Sequence, residues 1–205
     1  MLKLYYSAGA CALASHIALE EAAAAYEIAH VDLRQGEQRA PAYLAINAAG
    51  STPALVTDQG VLTENAVIMD HIARTHPEAG LAPDPSSFAW SRMQSLNGWL
   101  ASSLHPAIGR LLFSRPPLEG EARTAQAGVA LGKFDIVEQS LLTGPWAMGE
   151  QYTVADGYLS VFTRWARQAG ILDRTRFPRL NDHLDRVQAR PAVQRVLSAE
   201  GLTPV

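Results

Sequence analysis

Only one cysteine, Cys11, occurs among the 205 residues. A single thiol excludes an intrachain disulfide framework and any metal site built from several cysteines. Basic runs are missing too, and a formal net charge of −3 argues against a nucleic-acid backbone as the main partner. No apolar run reaches transmembrane length without charges. The stretch before Ala8-Gly9-Ala10-Cys11, with one Lys and few apolar residues, is too short for a signal. The expectation is a cytoplasmic chain with no membrane partner. No internal repeat is present, and His71 and His76, five apart on one helix, point different ways, so no metal pair is expected.

Hydrophobic residues make up 48% of the chain, enough core for one or two domains. The first third alternates strand and helix patterns. Leu2 to Ser7 reads as a buried strand, Cys11 to Ala25 as a helix with Glu20 and Glu21 outermost, and Tyr26 to Leu33 as a second strand carrying Ile28, Val31 and Leu33. Ala54-Leu55-Val56 and Val61-Leu62 flank Asp58-Gln59-Gly60, a hairpin signal, and a helix runs from about Glu64 to Thr75. That order predicts a small α/β sheet layered with helices. Residues 1–77 are expected to form one domain, 78–87 a proline-punctuated linker, and 88–205 an all-helical domain. Its helices are expected at Phe88 to Phe113, Glu119 to Leu142, Val154 to Gln168, Phe177 to Arg190 and Ala192 to Ala199, with a capping box at Thr153-Val154-Ala155-Asp156.

Three features of the first domain carry chemistry. Cys11 sits where a strand and a Gly-containing turn meet a helix. Free helix N–H groups and the positive end of the macrodipole favour a thiolate there. Pro53 stands at the mouth of a strand; a cis Thr52-Pro53 bond would leave the Thr52 N–H and C=O pointing outward for an extended, peptide-like ligand. Thr63-Glu64-Asn65 opens the third helix, where N–H groups bind a carboxylate and Glu64 can hold an ammonium, which suits the amino-acid end of a zwitterion. Together they describe a site for a thiol peptide. In the second domain, Pro106 follows His105 within a helical run. It removes an i→i−4 bond, so the helix is expected to kink or end and turn His105 toward a cleft.

Leu4-Tyr5-Tyr6, Gly9-Ala10-Cys11, Ser15-His16-Ile17, Ile46-Asn47, Thr52-Pro53-Ala54-Leu55, Leu62-Thr63-Glu64, Leu104-His105 and Thr153-Val154-Ala155-Asp156, with the ending Ala199-Glu200-Gly201-Leu202, closely resemble the bacterial beta-class glutathione transferases. The resemblance implies a thioredoxin-like N-terminal domain, an all-helical C-terminal domain and a homodimer. It implies that Cys11 lies beside the glutathione sulfur and can form a mixed disulfide with it. Thr52, before a cis Pro53, would bond the cysteinyl backbone, and Glu64 with Asn65 would hold the γ-glutamyl group. It places helix contacts at Gly98 and at Ser102, Ser103, Leu104 and His105, with His105 as a hydrogen-bond donor near the sulfur. Four positions depart from the pattern: Gly36 replaces a Lys near the glycyl end, Asn65 a Gly or Ser, Gly98 an Asn, and Pro106 a Lys. Each lost polar contact is worth on the order of 1 kcal/mol.

The implied activity is conjugation of glutathione, as co-substrate and without a metal, to small hydrophobic electrophiles. Ile108, Leu112 and Trp165 are the candidate lining of the electrophile pocket. No C-x-x-C pair follows Cys11, so dithiol exchange within the chain is excluded. Two alternatives remain: monothiol exchange or peroxide reduction through Cys11, and a ligandin-like carrier that binds hydrophobic molecules and catalyses little.

Overall fold

Buried Leu4 and Tyr6 alternate with less buried neighbours, which makes Leu2–Tyr6 a strand, β1. In the computed structural model, which describes residues 1–205, β1 is central in a four-stranded sheet. Its order is β2-β1-β3-β4, with β2 at Tyr26–His30, β3 at Ala54–Val56 and β4 at Val61–Thr63. β1 pairs parallel to β2 and antiparallel to β3, which forms the expected hairpin with β4. Helix α1, Leu13–Glu21, is buried at every position from Leu13 to Leu19. Such all-round burial follows from its packing against both α3, Asn65–Thr75, and α9, Pro191–Ala199. A one-turn helix, α2, spans Pro41–Leu44.

The ends of two expected elements differ. β2 stops at His30 rather than Leu33 because the Asp32 carboxylate accepts the N–H groups of Arg34 and Gln35, a turn that competes with the ladder. As the sheet's edge, β2 leaves Ile28 exposed. α1 ends at Glu21, although alanines continue to Ala25. Ala23 takes a left-handed φ of 49°, and the Ala24 N–H reaches back to Leu19 O, so the helix is closed despite its propensity.

Residues Met1–Leu81 and Arg190–Pro204 form one unit; Ala82–Ala189 and Val205 form the other. The last helix therefore groups with the sheet and not with the expected 88–205 domain. Glu20 and Glu21, expected on an outer face, are the reason: they pair with Arg195 and Arg190 at 2.5 Å.

The second unit is helical: α4 Phe88–Trp99, α5 His105–Phe113, α6 Gly120–Ile136, α7 Val154–Gln168 and α8 Pro178–Gln188. α7 lies at the centre, buried at every residue from Val154 to Ala166, with α4, α5 and α8 packed on it. Its capping box is present, the Thr153 N–H donating to Asp156 Oδ2 at 2.7 Å. Pro106 does not end the helix. Leu100–Leu104 widens into a π turn in which the His105 N–H bonds Leu100 O, and this longer register carries α4 into α5 past the residue that lacks an N–H. No helix is long and apolar enough to cross a membrane.

Candidate glutathione site

The sheet unit brings Cys11, Thr52, Pro53, Glu64 and Asn65 together. β3 leaves the sheet at its mouth through a cis Thr52-Pro53 bond. Because Ala54 pairs with Thr63, continuing the register sets Pro53 opposite Glu64 and Thr52 opposite Asn65. The approach to Thr52 is fixed from behind: the Tyr43 hydroxyl and the Asn47 amide both donate to Ser51 O at 2.7 Å. The Thr52 N–H has no partner within the chain, and the buried Thr52 Oγ1 has none either. Its carbonyl is not free as expected, since it accepts the Cys11 thiol at 3.5 Å.

Glu64 precedes α3 with φ 67° and ψ 121°, a conformation that costs a non-glycine residue about 1–3 kcal/mol. Its exposed side chain caps nothing and pairs with nothing, so the carboxylate and the first-turn N–H groups of α3 are both available. Asn65 behaves otherwise. Its side chain is turned inward, buried, with Oδ1 accepting the Ser15 hydroxyl at 2.7 Å, so its backbone N–H is what it offers a ligand.

Cys11 departs most from expectation. α1 begins at Leu13, and the Leu13 and Ala14 N–H groups are already bonded to Ala10 O and Cys11 O. Burial pushes the thiol up to about 11; the Asn65 side chain and the Cys11 and Ala12 N–H groups oppose this, and the Glu64 charge adds to it. The bond to Thr52 O also holds the neutral S–H form. Alkylation of Cys11 by iodoacetamide at pH 8 is thus expected to run about 100-fold slower than that of a free thiol and to rise only near pH 11. An unfolded thiol loses its proton near 9.0, so this group removes stability as pH rises from there toward about 11. Rapid alkylation at pH 7 would mean a thiolate at rest.

Sequence reasoning gave no role to Glu200 or His16. The Glu200 side chain is fully buried and accepts the Gly9 N–H at 2.9 Å and His16 Nδ1 at 2.8 Å. It thereby clamps the turn that delivers Cys11. A buried acid after a helix with no visible partner in sequence gives no local signal.

The remaining expected residues belong to the second unit. His105 is half-buried with its ring 5.2 Å from Phe162 and 5.5 Å from Trp165, and burial lowers its pKa. Ser102, Ser103 and Leu104 lie in the π turn, Leu104 fully buried. Of the pocket candidates, Ile108 and Trp165 are buried and Leu112 is half-buried. A side chain at Gly98 would meet open space, so the absent Asn has no steric cause. Gly36 differs: its φ of 79° is one a lysine would strain to adopt. No group of three or more His, Cys, Asp or Glu could hold a metal ion.

An unpartnered backbone N–H at Thr52, an unpaired carboxylate at Glu64 and a thiol thus meet at the mouth of a small α/β sheet. Residues 1–74 match the glutathione S-transferase N-terminal domain, and residues 120–186 the glutathione S-transferase C-terminal domain. The chain is 37% identical to glutathione S-transferase GST-4.5 of Xanthomonas campestris, covering 98% of this chain and all of that one. Among solved structures, the beta class glutathione S-transferase of Sphingomonas chungbukensis superposes with a TM-score of 0.88 at 35% identity, over 98% of this chain and 100% of that one. A sphingomonad glutathione S-transferase complexed with glutathione gives 0.88 and 35% over the same shares. This chain belongs to the glutathione S-transferase family, and its structural neighbours include a bacterial beta-class member.

Proposed function

We propose that the protein is a cytoplasmic, homodimeric transferase that conjugates glutathione to small hydrophobic electrophiles, a detoxifying reaction. The observation that carries the reading is the Thr52 edge: an unpartnered N–H beside a carbonyl held only by a thiol, with Glu64 across the register. The cysteinyl C=O of glutathione takes the Thr52 N–H, and its cysteinyl N–H displaces the Cys11 thiol from Thr52 O. The γ-glutamyl ammonium pairs with Glu64, and its carboxylate meets the N–H groups opening α3. The glutathione thiol gives up its proton to water, and the released Cys11 S–H donates to the sulfur and stabilises the thiolate. That thiolate attacks the electrophilic carbon; a C–S bond forms and the leaving group departs with its electron pair.

His105 is the second proposed catalytic group, on the strength of the sequence resemblance. With its pKa lowered by burial the ring is neutral at pH 7 and keeps one N–H to donate. Gly98, Ser102, Ser103 and Leu104 are proposed ligand contacts, and Ile108, Leu112 and Trp165 the proposed electrophile lining, on the same ground. The raised Cys11 pKa favours conjugation over thiol exchange, because exchange needs the Cys11 thiolate as nucleophile.

Initial rates with an aryl halide, beside reduction of a small mixed disulfide, test the reading. The expected result is conjugation saturable in glutathione, with His105→Ala lowering kcat/KM about 10- to 100-fold while glutathione affinity is kept. Mixed-disulfide reduction abolished by Cys11→Ala, without conjugation, would instead establish the exchange reading.

A further inference from the structure

The conjugation chemistry uses the backbone N–H of Asn65 and gives its side chain no task, yet that side chain is held firmly. Asn65 opens α3 and is 5% exposed; Ser15, on α1, is completely buried, and its hydroxyl donates to Asn65 Oδ1 at 2.7 Å. An amide whose oxygen is committed in this way presents its N–H bonds in a fixed direction. Asn65 Nδ2 bonds neither a carbonyl nor a carboxylate within the chain. The side chain acts instead on Cys11, as a hydrogen-bond donor that favours charge on the sulfur. Ser15 follows Cys11 by four residues, about one helical turn, so the amide bridges two groups of a single turn. The Gly or Ser that Asn65 replaces has no amide to fill this place.

The sulfur therefore stands within a chain of donors: the Ser15 hydroxyl to Asn65 Oδ1, the Asn65 N–H to Cys11 Sγ, and the Cys11 S–H to Thr52 O at 3.5 Å. Bonds linked head to tail polarise one another, so an N–H donated into the sulfur strengthens the S–H that leaves it. It also limits where that S–H can point, because the side of the sulfur facing Asn65 is taken. The charged group that faces the sulfur is Glu64, which disfavours charge there until an ammonium neutralises it.

We propose that Asn65, locked by Ser15, is a positioning residue for the conjugation step: its amide N–H holds the Cys11 sulfur so that the S–H, once released from Thr52 O, is aimed at the glutathione sulfur and donates to it more strongly. The proposal rests on the glutathione site described above. Asn65 acts on the glutathione thiolate only through Cys11, and its side chain does not touch the ligand.

The pH titration of glutathione bound to the full chain, followed by ultraviolet difference absorbance of the thiolate, tests it. The proteins compared are the wild type, Asn65→Leu and Ser15→Ala, and Asn65→Leu again in a Cys11→Ala background. Leucine matches asparagine in size and keeps the backbone N–H. Asn65→Leu is expected to raise the pKa of the bound glutathione thiol by about one pH unit, and Ser15→Ala to raise it by less, while S-methylglutathione affinity stays within about threefold of the wild type. In the Cys11→Ala background Asn65→Leu should leave the bound thiol where it is, as a residue acting through the cysteine must. Ser15→Ala carries the same test where Asn65→Leu perturbs the fold. An unshifted titration in the folded variants, or a shift that survives in Cys11→Ala, overturns the proposal. Failure of the wild type to bind S-methylglutathione is a distinct result, which overturns the underlying glutathione site and the proposal with it.

Discussion

Asp156→Ala is expected to cost about 3–5 kcal/mol of stability, the largest loss of any single substitution considered. The carboxylate is completely buried and serves four donors. Oδ1 accepts the Ala147 N–H at 2.6 Å and His183 Nε2 at 2.8 Å, and Oδ2 accepts the Thr153 N–H at 2.7 Å and its hydroxyl at 3.1 Å. Alanine would strand two buried backbone N–H groups. His183 Nδ1 already lacks a partner, so the ring would then be buried with neither nitrogen satisfied. The start of α7, the central helix of its unit, would lose the Asp156 half of its capping box at the same time. Urea denaturation monitored by far-UV circular dichroism measures the loss. Asp156→Asn, which keeps one acceptor, should fall between the two, and a loss below about 1 kcal/mol in the alanine variant would show that the network relaxes around the gap.

Glu200→Ala should be nearly as damaging, at about 3 kcal/mol, and it should also change the chemistry of a residue 189 positions away in sequence. Its carboxylate is the partner of both the Gly9 N–H and the buried His16 ring. Removing it leaves an imidazole with one lost bond between the rings of Tyr6 and Tyr26 and frees the Gly9 turn. Cys11 follows that turn, so its burial loosens and its pKa falls back toward that of an exposed thiol. Faster alkylation of Cys11 at pH 8 in Glu200→Ala than in the wild type, measured where both remain folded, is the expected signature. Unchanged alkylation with lowered stability would confine Glu200 to a structural tie between the C-terminal segment and the sheet unit.

Much of this was legible in sequence because it is local. The alternation at Leu4 and Tyr6, the turn at Asp58-Gln59-Gly60, and Thr153 set three residues before Asp156 are short-range patterns whose physics acts within a few residues. A proline at the mouth of β3 and a Glu opening α3 pointed to the proposed ligand edge for the same reason. What escaped was decided by distant partners. The alanines after Glu21 promised more helix, yet the left-handed turn at Ala23 closes it before β2. Cys11 appeared poised as a thiolate from its place before a helix, but the strength of that effect depends on burial and on Thr52, forty-one residues away. Pro106 looked like a break, and the π turn ahead of it absorbs the missing bond. The Arg190–Glu21 and Arg195–Glu20 pairs, which draw α9 to the sheet unit, have no pattern that a reading along the chain can detect.

The central claim is that the edge formed by Thr52 and Glu64 holds glutathione. Its most direct test is a calorimetric titration of glutathione into the wild type and into Glu64→Ala, whose exposed, unpaired side chain makes the substitution safe for the fold. The expected result is saturable binding at one site per chain, weakened in the variant by about 1.5–3 kcal/mol, or roughly 10- to 150-fold. No saturable heat with the wild type, or equal affinity in Glu64→Ala, would contradict the account.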